Sequence, residues 1–180
     1  MPANRDVHVA RLDRAAGWLV LGIAPGMLHA FVASQEEGDM SETPQQRVAA
    51  AIERIPYARF LGIRAERKGD ELTLIMPFSQ HLVGNPLLPA LHGGVVGALL
   101  EVTALTQLAI ASKSERFPKT VDIGIDYLRS GKPIDTFARA KVVKIGRRIA
   151  NVQAEAWQGE KTQPIATLHG HFMTPDVDEA

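Results

Sequence analysis

One apolar segment, Gly93–Ser112, limits how this chain can fold more than any other feature. It reads GGVVGALLEVTALTQLAIAS, and twenty residues make about 30 Å of α-helix. Apolar residues would lie on nearly every side of that helix, whereas a surface helix has a single apolar stripe. The sequence therefore predicts a long helix buried in the core.

Four segments after this helix alternate apolar and polar residues with period two, which is typical of strands with one solvated face. Breaks at Gly131-Lys132-Pro133, Gly146 and Gly159 predict hairpins between them, and hence a mainly antiparallel sheet. Before the helix, two further strands flank residues 68–70, and a loop with Gly84, Asn85, Pro86 and Pro89 follows. The four alternating segments are Val121–Tyr127, Ala138–Val142, Ala150–Ala156 and Ala166–Phe172, and the two earlier strands are Leu61–Arg67 and Glu71–Met76.

The strand residues expected to face inward are mostly small. Alanine or glycine occupies positions 138, 140, 150, 154, 156, 166 and 170, which leaves room for a thick helix against a curved sheet. We therefore expect an α+β architecture, the hotdog fold, in which an antiparallel β-sheet wraps around one long central α-helix.

A chain of 180 residues with 46% hydrophobic content is long enough for one domain. We expect residues 1–40 to be an N-terminal extension outside the fold, weakly structured or translated from an upstream start, because Met40 resembles a second start. Its apolar run Ala15–Ala33 resembles a signal-peptide core, but Pro25, Gly26 and His29 interrupt that run. The predicted domain covers residues 41–174, beginning with a short amphipathic helix up to Pro56, and residues 175–180 form a tail.

Composition excludes several classes of function. Twenty basic and twenty acidic residues balance, so no global field favours nucleic acid or an anionic membrane. The absence of cysteine excludes disulfides, a cysteine nucleophile and thiolate metal sites. His169 and His171 share a strand face, but no third ligand is apparent, so we read them as surface residues and predict no metal. A cytoplasmic location is expected.

Glu101 is the only charged residue of the predicted helix. Burying a carboxylate costs several kcal/mol unless it is paired or works at a site, so two readings stay open: a structural ion pair or a reactive group. Directly before the helix stands His92-Gly93-Gly94. Two glycines at a helix N-terminus can expose backbone N–H groups to a ligand oxygen, and the helix dipole favours negative charge there.

Together these residues resemble a known family. The stretch Leu91–Glu101, reading LHGGVVGALLE, is similar to the signature of hotdog acyl-CoA thioesterases of the phenylacetic acid degradation type, within the 4-hydroxybenzoyl-CoA thioesterase-like superfamily. The resemblance extends over about residues 45–174, and Glu101 stands nine residues after His92, as the family's carboxylate does. That carboxylate is usually Asp, so Glu101 is a mild departure. Further matching segments are Leu61-Gly62, Met76–Phe78, Asp126–Arg129 and Lys144–Arg148.

The resemblance implies an acyl-CoA thioesterase that hydrolyses acyl-CoA to free acid and CoA, with no cofactor beyond the CoA of the substrate. Gly93, with Gly94 as a second donor, would polarise the thioester carbonyl through backbone N–H groups. Glu101 would act as nucleophile or as general base. The resemblance also implies that Asn85 contacts the same carbonyl and that Thr120 positions the attacking water. His92 would either lie beside the thioester sulfur or order the loop.

A helix rises by about 12 Å over the eight residues from Gly93 to Glu101, so these two residues of one chain cannot easily share one carbonyl. Two chains with joined sheets and antiparallel helices would bring the Gly93 end of one helix near Glu101 of the other. We therefore expect a homodimer with sites at the subunit interface, and the resemblance implies that such dimers can pair into a homotetramer. Basic residues at turns would form a rim for the phosphates of CoA; they are Arg129, Lys132, Lys144, and the Gly146-Arg147-Arg148 turn.

Other functions fit the same residues less well. A serine hydrolase of the α/β class would need a Gly-x-Ser-x-Gly motif, which is absent. A hotdog hydratase or dehydratase also polarises an acyl thioester at a helix N-terminus, although the spacing from His92 to Glu101 favours hydrolysis. A non-catalytic acyl-CoA binding module is the third alternative.

Overall fold

The computed structural model describes residues 44–68, 71–112 and 117–174. The predicted extension, residues 1–40, and the predicted tail, residues 175–180, lie outside the described part of the chain. The helices are α1 (Pro44–Glu53), α2 (Pro56–Phe60) and α3 (Gly93–Ser112), with a 3-10 turn at Gln80–Leu82. The strands are β1 (Arg64–Lys68), β2 (Glu71–Met76), β3 (Val83–Asn85), β4 (Ala90–Leu91), β5 (Lys119–Tyr127), β6 (Thr136–Ile145), β7 (Ile149–Trp157) and β8 (Pro164–Met173).

Six of these strands form one antiparallel sheet in the order β1-β2-β6-β7-β8-β5. The strands β1 and β5 are its edges, while β3 and β4 form a separate two-stranded hairpin before α3. The edge strand β5 is the third long strand in the chain but pairs with the last one, β8.

The helix α3 lies against the inner face of the sheet, as its apolar sequence predicts. Leu99, Leu100 and Leu108 are completely buried, and a buried leucine contributes about 1.5–3 kcal/mol relative to an exposed one. Opposite them, the inner face of the sheet carries the predicted small residues, including Ala138 and Ala150, which are also fully buried. The small side chains of the sheet make space for the large ones of the helix, and the predicted fold is confirmed.

One stripe of α3 departs from the prediction of burial on all sides. Ala98, Glu101 and Leu105, spaced three and four residues apart, are only partly buried, whereas ten other residues of the helix are buried. The length and hydropathy of α3 would suit a membrane span, but 61% of its most apolar window is buried inside the domain. This helix is therefore a core helix with one face left partly open.

The break at Gly131-Lys132-Pro133 is not the predicted hairpin. It belongs to a connection between β5 and β6, which are not neighbours in the sheet. Gln158, in the turn after β7, holds this connection by accepting from the Lys132 N–H at 2.8 Å and donating to the Lys132 carbonyl at 2.8 Å. Turn residues show where a strand ends, but not which strand pairs next.

The first strand begins at Arg64, three residues later than predicted, because a short unpredicted helix precedes it. Pro56 starts α2, and Gly62 follows its end with a φ of 65°, a left-handed conformation that glycine adopts at helix ends without strain. The Gly62 N–H donates to the Arg59 carbonyl at 3.0 Å, so residues 61–63 are part of a helix terminus.

Candidate active site

Backbone hydrogen bonds on both sides fix the start of α3. The Leu91 N–H donates to the Gly131 carbonyl and the His92 N–H to the Leu82 carbonyl, both at 2.9 Å. Gly84 lies directly behind His92, where an added Cβ would come within 2.7 Å of the His92 Cα. Only a glycine permits this close approach of the β3–β4 hairpin to the helix start.

The first N–H groups of α3 have different partners. The Val95 and Val96 N–H groups both donate to the His92 carbonyl, at 3.0 and 3.3 Å. The Gly94 N–H, predicted as a second donor to the substrate, instead donates to His92 Nδ1 at 3.0 Å. The Gly93 N–H makes no hydrogen bond within the described residues, so it is the donor that remains open to a ligand at the positive end of the helix dipole.

Because His92 Nδ1 accepts the Gly94 N–H, a neutral His92 carries its proton on Nε2. This ring therefore closes the first turn of the helix, and its Nε2 remains for other contacts. The predicted position of His92 beside the thioester sulfur stays a prediction.

Glu101 and Thr120, both predicted site residues, are in direct contact. The Thr120 hydroxyl donates to Glu101 Oε1 at 2.7 Å, a short distance typical of a hydrogen bond to a carboxylate. Thr120 is the second residue of the edge strand β5. Glu101 Oε2 makes no hydrogen bond within the described residues, so one carboxylate oxygen is held and the other is available for chemistry.

Asn85 orders a turn in the β3–β4 hairpin. Its side-chain oxygen accepts from the Leu87 N–H at 3.0 Å and from the Leu88 N–H at 3.4 Å, as in an Asx turn. This structural role occupies the oxygen and leaves the side-chain N–H₂ without a partner among the described residues. Contact between Asn85 and a substrate carbonyl stays a prediction.

Tyr127, the last residue of β5, is a site residue that the sequence did not single out. Its hydroxyl donates to the Gly93 carbonyl at 2.7 Å, and its ring lies against Gly93, where an added Cβ would be 3.3 Å from the ring. The period-two pattern that places Ile123, Ile125 and Tyr127 on one side of β5 was the available signal. It indicates the face of the strand but not the helix turn that this face contacts.

A cavity of about 390 Å³ opens beside this helix start. Gly93, Val96, Tyr127, Arg129 and Ile165 contribute to its lining, together with other residues of β4 and the connection after β5. A larger cavity of about 930 Å³ lies elsewhere and is lined largely by polar and charged side chains, such as Arg139 and Glu155. Of the predicted site residues, Gly93 and Arg129 line the smaller cavity and none lines the larger one, so we place the Gly93 end of the candidate site at the smaller cavity.

The predicted basic rim is divided within one chain. Arg129 lies near the start of β8, where its Nη1 donates to the Pro164 carbonyl at 2.6 Å. The Arg147-Arg148 turn lies near the other end, where Thr174 donates to both their carbonyls at 3.0 and 3.1 Å. The ten residues of β8 span about 33 Å, so the two groups cannot form one rim within a chain.

The Gly146-Arg147-Arg148 turn has a hydrogen-bonded base and exposed arginine side chains. The Gly146 N–H donates to the Ile149 carbonyl at 2.9 Å, and a Cβ at Gly146 would come within 2.7 Å of that oxygen. Glycine is therefore required for the close approach, while Arg147 and Arg148 remain exposed. Lys144 and Lys132 are exposed as well.

His169 and His171 lie on β8 with exposed side chains, away from α3. His171 Nδ1 lies 2.9 Å from Asp122 Oδ1, and this hydrogen bond holds the pKa of the Asp122 carboxyl below its ordinary value. The described residues contain no group of three or more His, Cys, Asp or Glu that could hold a metal ion. We assign this pair no part in the candidate site.

The sequence profile of the thioesterase superfamily matches residues 88–165, from the loop before α3 to the start of β8. The segment 88–165 is a thioesterase-superfamily domain segment. The predicted family and the class of thioester hydrolase are confirmed at this level, as is the fold.

The chain is also similar to individual proteins, of which three are described. The medium/long-chain acyl-CoA thioesterase YigI of Escherichia coli K12 is 29% identical over 133 residues, covering 66% of this chain and 85% of YigI. A phenylacetic acid degradation-related protein from Ralstonia eutropha JMP134 superposes with a TM-score of 0.58 at 21% identity, over 66% of this chain and 90% of that protein. A Bacillus halodurans protein crystallised with CoA superposes with a TM-score of 0.59 at 20% identity, over 74% and 95%. The two superpositions show the shared fold.

Proposed function

We propose that this protein hydrolyses acyl-CoA thioesters to a free acid and CoA, with Glu101 as the reactive carboxylate. The observation that carries the proposal is the environment and hydrogen bonding of the Glu101 side chain. It is the only charge on an apolar helix, it accepts a 2.7 Å hydrogen bond from Thr120, and its second oxygen is free among the described residues. The similarity to an acyl-CoA thioesterase supports the substrate class.

In the proposed reaction, the Gly93 N–H hydrogen bonds to the thioester carbonyl oxygen and stabilises the negative charge that develops there. Glu101 either attacks the carbonyl carbon or takes a proton from the water that attacks it. If Glu101 attacks, the carbon–sulfur bond breaks, CoA leaves as the thiolate, and water then hydrolyses the mixed anhydride to the free acid and restores the carboxylate. If Glu101 is the base, the water oxygen bonds to the carbonyl carbon, the carbon–sulfur bond breaks, and the proton held by Glu101 passes to the CoA thiolate. Thr120 fixes one carboxylate oxygen and so directs the other.

We propose that two chains build each site. Gly93 and Glu101 stand eight residues apart on one straight helix, a rise of about 12 Å, which is too far for one carbonyl. The partly open stripe of Ala98, Glu101 and Leu105 would face the same stripe of a second chain. The edge strand β5, with Val121 53% exposed, offers unpaired backbone groups that could join the two sheets.

The same pairing would reunite the divided basic residues. Arg129 lies at the end of the sheet where Tyr127 contacts Gly93, whereas the Arg147-Arg148 turn lies at the end where Thr120 contacts Glu101. A site that takes Gly93 from one chain and Glu101 from the other therefore has Arg129 and the partner's turn on its two sides. We propose that these arginines bind the phosphates of CoA.

The test is a hydrolysis screen of the wild-type protein over short, medium, long and aryl acyl-CoAs, with thiol release as the readout. Medium and long chains come first because YigI, the E. coli relative, is named for them. We expect saturable hydrolysis of at least one class, by a protein that is at least dimeric. Tight CoA binding without hydrolysis of any class would instead favour a non-catalytic binding module. The cytoplasmic location stays a prediction.

A further inference from the structure

We propose that Tyr127 is a positioning residue that directs the Gly93 N–H toward the thioester oxygen. This inference rests on the proposed function and adds a residue to its machinery. Tyr127 contacts no reacting atom in this scheme, since its hydroxyl is bonded to the Gly93 carbonyl at 2.7 Å.

The peptide group between Gly93 and Gly94 is held at both ends. Its carbonyl oxygen accepts from the Tyr127 hydroxyl, and its N–H donates to His92 Nδ1 at 3.0 Å. The preceding peptide group, between His92 and Gly93, has its carbonyl oxygen bonded to the Val95 and Val96 N–H groups. The N–H of that preceding group is the free donor of the candidate site.

These two peptide groups meet at the Cα of Gly93. Glycine has the softest backbone of any residue, so its own φ and ψ preferences do not fix how one group is turned relative to the other. Holding the second group from outside restricts this rotation, and with it the direction of the Gly93 N–H. Tyr127 is the external contact that does so from the sheet.

The Tyr127 ring reaches this position because two glycines leave room. An added Cβ at Gly93 would be 3.3 Å from Tyr127 Cζ, and one at Gly97 would be 3.3 Å from the Tyr127 hydroxyl oxygen. Gly93 and Gly97 are four residues apart and lie on the same side of the helix. The ring therefore lies across both, in a space that larger residues would fill.

The edge strand β5 then serves both reacting groups. Thr120, near its beginning, bonds to Glu101, and Tyr127, at its end, bonds to Gly93. In a two-chain site, the β5 strands of both chains would contribute, one through Thr120 and the other through Tyr127.

The test is Tyr127→Phe, which keeps the ring over the glycines and removes only the hydroxyl. Removing an oxyanion donor completely reduces kcat by about 10²–10³. A donor that is kept but less well directed should reduce kcat less, by about tenfold. We expect kcat for acyl-CoA hydrolysis to fall about tenfold, with KM changed less than about twofold because the hydroxyl does not touch the substrate.

The matched control is Tyr57→Phe, at the other of the two tyrosines in the chain. Tyr57 stacks on Phe60 at 5.9 Å, and its hydroxyl makes no hydrogen bond within the described residues. We expect wild-type kcat, KM and Tm for this variant.

Amide hydrogen exchange measured by NMR adds a readout that does not depend on turnover. In Tyr127→Phe, exchange at Gly94 should be faster by about tenfold, since the Tyr127 hydroxyl no longer holds this peptide group from the sheet. The proposal requires both the lower kcat and the faster exchange at Gly94, and it is overturned if either is unchanged. It is also overturned if the lower kcat comes with a lowered Tm and a raised KM, since that combination indicates a general loss of structure. If the wild type hydrolyses no acyl-CoA, the proposed function fails, and the exchange rates alone decide whether Tyr127 holds this peptide.

Discussion

Thr120 and Glu101 are nineteen positions apart in the chain, and the hydroxyl of one lies 2.7 Å from the carboxylate of the other. The contact joins the edge strand of the sheet to the middle of the central helix. It gives Glu101 a defined orientation without neutralising its charge, because a hydroxyl donor brings no positive charge. Such a carboxylate is held by one oxygen and keeps the other without a partner among the described residues.

Thr120→Val tests this contact, because valine keeps the shape and the strand preference of threonine. A hydrogen bond to a charged group contributes about 1.5–3 kcal/mol, so kcat should fall about 10- to 100-fold with little change in KM. Thr167→Val on β8 is the control, since Thr167 makes no hydrogen bond through its side chain within the described residues. Wild-type kcat in Thr120→Val would remove this residue from the machinery.

Replacing both Arg147 and Arg148 by alanine tests the phosphate contacts. We expect KM for acyl-CoA to rise about tenfold, because each exposed arginine loses a charge-assisted contact with phosphate. Hydrolysis of an N-acetylcysteamine thioester, which has no nucleotide, should not change. The control pair is Arg64→Ala with Lys68→Ala on β1, two exposed cations at the opposite edge of the sheet from β5. Equal effects on both substrates would show that the turn is needed for folding and not for CoA.

A chain that starts at Met40 tests the predicted domain boundary. Helix α1 begins at Pro44, and Val48 and Ile52 on it are buried in the core, so the domain has its first element without residues 1–39. The shortened chain should keep the Tm and kcat of the full chain. Failure to fold, measured by circular dichroism and size-exclusion chromatography, would show that the extension belongs to the domain.

Much of the fold follows from hydrophobic periodicity. The apolar run predicted α3 with the bounds Gly93 and Ser112 that the structure has, because a buried helix needs apolar residues all around. The alternation from Ala150 to Ala156 and from Ala166 to Phe172 likewise predicted which side chains of β7 and β8 are buried. These properties depend on local sequence alone.

Contacts set by topology could not be predicted in the same way. The bond from Tyr127 to Gly93 joins residues 34 positions apart, and it exists because β5 pairs with β8 at the sheet edge. Sequence alternation does not specify that pairing, which is also why the 131–133 break was wrongly expected to be a hairpin. The basic residues lie at two ends of the sheet for the same reason, because strand pairing and not local sequence decides where each turn lies.

The partly open stripe of α3 shows a second property that the sequence does not predict. The sequence shows that Ala98 and Leu105 are apolar, but not whether the sheet of the same chain or a second chain covers them. The single chain leaves both partly exposed beside Glu101. This arrangement is expected if the missing cover is another subunit, and it leads to the most direct test of a site shared by two chains.

That test mixes two variants, each damaged in one half of the proposed site. Glu101→Gln removes the carboxylate charge, and Gly93→Pro removes the backbone N–H while proline remains acceptable at a helix start. Gly93→Ala is the matched control, because it keeps the N–H while its added Cβ crowds the Tyr127 ring at 3.3 Å as the proline Cβ would. Because crowding Tyr127 costs at most the loss expected for Tyr127→Phe, Gly93→Ala should lose about tenfold or less, whereas Gly93→Pro should be inactive.

Each parent should be folded and inactive alone. After random subunit exchange at equal amounts, about half of the dimers are mixed, and each mixed dimer has one site with both Gly93 and Glu101 intact. The measurement is thiol release from the best acyl-CoA substrate by the exchanged mixture, compared with each parent and the wild type. A shared site predicts recovery to about a quarter of wild-type activity. No recovery, with exchange demonstrated and both parents folded, would contradict a site built from Gly93 of one chain and Glu101 of the other.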